Sequence, residues 1–233
     1  MKKTTYKNNL PWGLMTFFAV AVTFVAVAPY VTLNSANFNN ATMRYTTETP
    51  IRFVSLFIHA FSSGIALLLG PFQFLNGLRQ RRPVLHRWIG RLYLVSILFG
   101  GLSAFVIAPG IISGLVGQVG LSLLGVLWLW TGWNAYSTIR AGQVTLHREW
   151  MIRNFGLTFA AVTLRLWLGI LIGTQVPLLD VKYGGDFDAL FVEAYRVVMW
   201  LCWVPNLIIA EWIVQRRRMA QASAQPSGKL VQA

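Results

Sequence analysis

Two short stretches bring together residues able to hold a cofactor or an anion: "LHRWIGRLY" at 85–93 and "LHREWMIRN" at 146–154. The first sets His86 beside Arg87, with Arg91 one helical turn on; the second sets His147 beside Arg148, with Arg153 further along. Two neutral imidazoles on facing helices can supply both axial ligands of a b-type haem iron, and arginines beside them can hold its propionates. A quinone is the alternative redox group for such a site. Two histidines with no cysteine, and only Glu149 as a nearby carboxylate, make a poor zinc site. For the arginines alone, contact with lipid phosphate at the membrane surface is the simpler role. Glu149 and Arg153, four residues apart, are placed to neutralise each other, whereas Arg87 and Arg91 share one face with no acid between them.

A second polar set falls inside apolar segments: His59, Arg165, and the pair Glu193 and Arg196. Charge at such depth is costly and faces a bundle interior, usually beside a partner. Glu193 and Arg196, three residues apart, read as a structural pair, but Arg165 has no acid near it in its own helix. His59 taken alone reads more readily as a hydrogen-bonded core histidine than as a ligand. Gln73, Asn76, Gln118 and Asn134 add polarity that suits a small-ligand cavity, although ordinary interhelical hydrogen bonding explains each residue by residue.

These side chains have to be positioned by membrane helices. The chain is 55% hydrophobic and 12% charged, with apolar blocks long enough to cross about 30 Å of hydrocarbon. The spans fall near 10–33, 51–76, 87–109, 111–138, 150–176 and 189–214, giving an all-α polytopic membrane protein, a single domain over residues 1–218. Pro109-Gly110 turns the third span into the fourth, and Pro71 and Pro205 are expected to kink their spans. Lys2, Lys3 and Lys7 precede an apolar run too long for a signal-peptide core, so it reads as a retained first span. Residues 219–233 read as a disordered tail.

The net charge of +13 is explained by basic residues flanking the spans, so nucleic acid is not expected as a partner; the bilayer and its anionic headgroups are. With the N-terminus cytoplasmic, that side receives fifteen Lys and Arg residues and the other three, leaving aside Arg165 and Arg196. Both termini are therefore expected in the cytoplasm. The single cysteine, Cys202, excludes a disulfide framework. No phosphate-binding glycine loop, metalloprotease helix or serine nucleophile elbow occurs in a suitable setting, which sets soluble enzyme classes aside.

At an offset of 61 residues, "GLRQRRPVLHR" (77–87) falls on "TIRAGQVTLHR" (138–148), matching Arg79 to Arg140, His86 to His147 and Arg87 to Arg148. Two spans restore the chain direction, so the copies (51–109 and 111–176) would be parallel and related by a pseudo-two-fold along the membrane normal. Spans two to five then form a four-helix core, with spans one and six peripheral. Positive-inside selection accounts for the matching arginines, but less well for the Leu-His-Arg triplets.

At "HRWIGRLY" and "HREWMIRNFGLTFAAVTLRLW" the chain resembles a bacterial family of predicted membrane proteins of unknown function, DUF2306, over about residues 51–175. The marks are His59, the two His-Arg pairs, Trp150-Met151, Arg153-Asn154 and Leu164-Arg165. The resemblance implies a multi-pass protein of the bacterial cytoplasmic (inner) membrane and brings no activity. A looser similarity is to transmembrane b-type cytochromes, whose four-helix core carries two haems between paired histidines. It matches here at His86 and His147 on the third and fifth spans. The fourth span has no histidine opposite His59, whose repeat mate is Gly120, so the similarity is one of architecture.

The leading expectation is an integral redox protein with haem b or quinone near the cytoplasmic face. His86 and His147 would ligate haem iron, Arg87, Arg91, Arg148 and Arg153 would anchor acidic groups, and His59, Arg165, Glu193 and Arg196 would form a deeper polar site. The rivals are a transporter of a small anionic or proton-coupled substrate and a non-catalytic membrane subunit or assembly factor. The sequence identifies no reaction.

Overall fold

A computed structural model describes residues 10–31 and 49–223. The basic residues Lys2, Lys3, Lys7, Arg44 and Lys229 counted above lie outside the described residues. The chain runs α1 (Leu10–Val31), α2 (Pro50–Gln73), a short α3 (Asn76–Arg81), α4 (Pro83–Ile107), α5 (Gly114–Arg140), α6 (Val144–Thr158), α7 (Ala160–Gln175), a short α8 (Leu179–Tyr183), α9 (Phe187–Leu201) and α10 (Val204–Ser223). Among the described residues, six helical segments are long and apolar enough to cross a membrane; the fifth runs through α6, α7 and the short α8, and the sixth through α9 and α10. The protein is thus an all-α, polytopic membrane protein.

The helices of the third and fifth spans start earlier than the apolar blocks suggest. Pro83 opens α4, and Arg82 before it, at φ −134° and ψ 65°, lies outside the helical region, which a proline's ring disfavours for its predecessor. Gly142, at φ +74°, turns the chain after α5 so that α6 begins at Val144, a backbone conformation that glycine adopts without steric cost. His86 and His147 consequently occupy the same place, the fourth residue of their helices.

The most extensive helix–helix interfaces are α2 with α4 and α5 with α6. Each is one hairpin of the four-helix core, closed at the arginine-rich end, and the turn around Ala108–Gly110 joins the two hairpins at the opposite end. Outside this core, α1 lies along α2, while α9 packs on α7 and α5 and α10 packs on α6. Gly120 lets the sixth span approach: a Cβ there would stand 3.0 Å from the Met199 carbonyl oxygen and 3.1 Å from Trp200 Nε1.

The two expected kinks have different outcomes. Helix α2 continues through Pro71 to Gln73. The sixth span breaks at Cys202–Trp203, where Pro205 cannot donate to the carbonyl one turn back. The fifth span also breaks, at Phe159, which no proline announces. One side chain serves both breaks: Asn206 Nδ2 donates to Cys202 O at 2.9 Å, to Thr163 Oγ1 at 2.9 Å and to Gly156 O at 3.1 Å. Such satisfaction is what allows irregular backbone at membrane depth.

The tail differs from expectation in one respect, because α10 continues to Ser223 and Met219–Ser223 are helical. Arg218 ties this extension down by donating from Nε to Glu149 at 2.8 Å. The rest of the tail, 224–233, lies outside the described residues.

Candidate functional site

At the arginine-rich end, His147 Nδ1 lies 2.7 Å from the Ala135 carbonyl. A carbonyl can only accept, so Nδ1 carries the proton and Nε2 is left as the free lone pair, the arrangement common in metal-binding histidines. His86 Nδ1 is buried with no partner, as is Gln73 Nε2 close by; Gln73 packs against Gly90, one turn along α4 from His86. His86 lies within electrostatic reach of Arg79 and His147. Burial, and then the charge of Arg148, pull the Arg79 guanidinium below the usual arginine range.

The arginines around these histidines divide into two kinds. Arg87, Arg91 and Arg148 are exposed, with the Arg91 guanidinium 5.0 Å from the Trp88 ring centre. Arg153 is different: its Nε donates to Glu211 on α10 at 2.8 Å. Glu149 pairs with Arg218 rather than with Arg153. The expected Glu149–Arg153 pair is therefore replaced by two cross-helix pairs, because α10 lies along α6 and offers each residue an opposite charge. Neither His86 nor His147 lines the cavity that lies deeper in the bundle.

Inward from that end, a polar cluster occupies the centre of the core. The Tyr93 hydroxyl donates to Asn154 Oδ1 at 2.7 Å and lies 2.8 Å from Thr158 Oγ1. Trp128 Nε1 donates to Thr158 Oγ1 at 2.8 Å, and Asn154 Nδ2 donates to Trp128 O and Thr131 Oγ1, both at 2.9 Å. Tyr93 and Asn154 are 61 residues apart, the same offset at which the two Leu-His-Arg triplets coincide. Every polar atom of Asn154 is satisfied, and such a network fixes one arrangement of the core.

A cavity of about 330 Å³ lies on the other side of this cluster, within the range of small-molecule sites. Its lining includes Tyr30 on α1, His59 and Ser63 on α2, Trp128 on α5, Thr158 on α6, Arg165 on α7, and Tyr195 and Cys202 from the sixth span. His59 Nδ1 donates to Gly100 O at 2.9 Å, leaving Nε2 as acceptor. Arg165 donates once, from one terminal nitrogen to Ala161 O at 2.7 Å. Gly100 and Ala161 are again repeat mates: equivalent carbonyls are held by a histidine in one half and an arginine in the other. The mate of His59 is Gly120, and the space a second histidine would fill is taken by Met199 and Trp200.

The sequence places His59 and Arg165 in one deep site, and both line this cavity. Glu193 and Arg196 do not line it. Glu193 is held by Lys182 at 2.9 Å instead of by Arg196, because α8 brings Lys182 back over the start of α9, and Arg196 is exposed. Among the described residues, no carboxylate pairs with Arg165: Glu149, Glu193 and Glu211 are each committed to another cation. Ser63 Oγ is also buried without a partner. Of the other intramembrane polar residues, Asn76 accepts from Arg79, Gln118 donates to Pro109 O and Asn134 to Trp130 O. Ser63, Tyr195 and the Tyr93–Asn154 link were not singled out from sequence, although the 61-residue offset itself superposes Tyr93 on Asn154.

Residues 56–214 match the predicted membrane protein family DUF2306. The chain belongs to that family. The match takes in both hairpins of the core, the cavity lining from α2 onward, and most of the sixth span; α1 lies outside it. No curated protein and no solved structure matches the chain.

Proposed function

We propose that this DUF2306 protein is a carrier that binds a small organic anion in the His59–Arg165 cavity. The observation behind this reading is the unpaired Arg165 guanidinium, which faces a cavity inside a membrane bundle with most of its donors unused. An ionised group so placed is expensive without a counter-charge, and a bound anion supplies one. Ser63 and Tyr195 add hydroxyl donors, and His59 Nε2 an acceptor for a protonated or hydroxylated group. Both helix breaks support the reading, since Ala160, Ala161 and Cys202 beside them line the same cavity, and carriers build their sites where helices are discontinuous. Uptake of labelled monocarboxylates into proteoliposomes tests it: Arg165→Gln should abolish uptake, and unchanged uptake by that variant would overturn the reading.

We further propose that the basic end faces the cytoplasm of a bacterial inner membrane, where exposed Arg87, Arg91 and Arg148 meet anionic lipid headgroups. A second reading keeps a redox group at that end. It draws on the His147 tautomer and the unpartnered His86 Nδ1: the two imidazoles would hold haem iron, and Arg87, Arg91 and Arg148 its propionates. Haem supplies one-electron chemistry when bound; a quinone would use the same polar atoms as hydrogen-bond partners. Oxidised and reduced visible spectra of the purified protein, with solvent extraction for quinone, decide this; no Soret band and no quinone would remove it.

A further inference from the structure

The cavity has direction as well as charge. Its titratable groups, Tyr30, His59, Arg165 and Tyr195, lie toward the end away from the arginine-rich loops, together with Ile107, Ile111 and Ile112, whereas the inner part is lined by Leu67, Leu157 and Trp128 with the already committed hydroxyl of Thr158. The lining extends from Leu56 to Leu67 along α2 and from Leu157 to Arg165 across α6 and α7, and the stretch inward from His59 and from Arg165 covers eight residues on each side. Eight residues of helix rise about 12 Å. A volume of about 330 Å³ spread over that length is a narrow bore, not a broad chamber. At its inner end Trp128 Nε1 is already spent on Thr158 Oγ1, so Trp128 offers only ring surface there.

The charge also points to a class of head group. A single guanidinium, one unpartnered serine hydroxyl and the Tyr195 hydroxyl match the two oxygens and one charge of a carboxylate. A phosphate dianion would leave one charge uncompensated.

Resting on the anion-site reading above, we propose that the ligand is a single-tailed monocarboxylate. Its carboxylate sits at Arg165, with Ser63 and Tyr195 donating to it, and its alkyl chain lies along the apolar bore toward Trp128 and Ala160.

The test is binding of a series of labelled straight-chain acids, from butyrate to palmitate, to the full chain in nanodiscs, with empty nanodiscs subtracting partition into lipid. Affinity should rise about fourfold per added methylene until the bore is filled, and then level off. Ala160→Phe, at the inner end, should move the levelling point several carbons shorter; Cys202→Phe serves the same purpose if the first variant does not fold. Arg165→Gln should lower affinity at every chain length by a constant factor of at least tenfold. Binding that depends on Arg165 but not on chain length, or a levelling point that neither filler moves, overturns the tail assignment and leaves the anion site standing. Binding that follows chain length but ignores Arg165→Gln overturns the anion site itself.

Discussion

The Tyr93–Asn154 cluster and the His59–Arg165 cavity are neighbours, sharing Thr158 and Trp128, yet their polar groups are in opposite conditions. In the cluster each donor meets an acceptor, and Asn154 is fully buried with all its hydrogen-bonding capacity used. In the cavity a guanidinium makes one hydrogen bond, a serine makes none and an imidazole nitrogen is idle. A satisfied buried network stabilises one packing of the core, whereas an unsatisfied one is a cost that a ligand can relieve. Satisfaction, more than polarity, separates the part that specifies the fold from the part available for binding.

That contrast can be broken from either side. Removing Asn154 should have the largest effect on stability: Asn154→Ala leaves the Tyr93 hydroxyl and two further groups short of partners, and should cost about 3–5 kcal/mol, read from detergent or urea unfolding. Arg165→Gln should do the reverse, leaving stability unchanged or slightly raised while weakening anion binding about 100-fold, equivalent to ~2.7 kcal/mol. If it unfolds the protein as Asn154→Ala does, the two regions are not different in kind. Gly120→Leu should lower stability by about 1–3 kcal/mol through overpacking against Met199, and in doing so distort the cavity wall at Tyr195. The smallest effect is expected for Arg218→Ala, a slight loss of stability that added salt reduces further, because the arginine is exposed and its pair with Glu149 is partly screened.

Apolar length was enough to place six spans. Helix starts were less legible, since Pro83 and Gly142 move them into polar sequence ahead of the apolar blocks. The break at Phe159 had no sequence mark, because it is supported from another helix by Asn206. For the site, burial depth singled out His59 and Arg165. Ion pairing was misassigned wherever a residue's nearest opposite charge in sequence was not its nearest in space. Glu149, Arg153 and Glu193 all took partners from a neighbouring helix, a choice that depends on which helices pack and so is invisible to spacing within one. Ser63 and Tyr195 have ordinary sequence surroundings and become notable only once the cavity between their helices is formed.

Asn206 has a mechanical consequence. Because a single amide group meets the loosened carbonyls of both the fifth and the sixth spans, the two breaks share one anchor. Beyond it lie α7 and α9, which carry Arg165 and Tyr195 to the cavity, and on its other side α6 and α10 are joined by the Arg153–Glu211 and Arg218–Glu149 contacts. A change at Asn206 is therefore felt at both breaks at once.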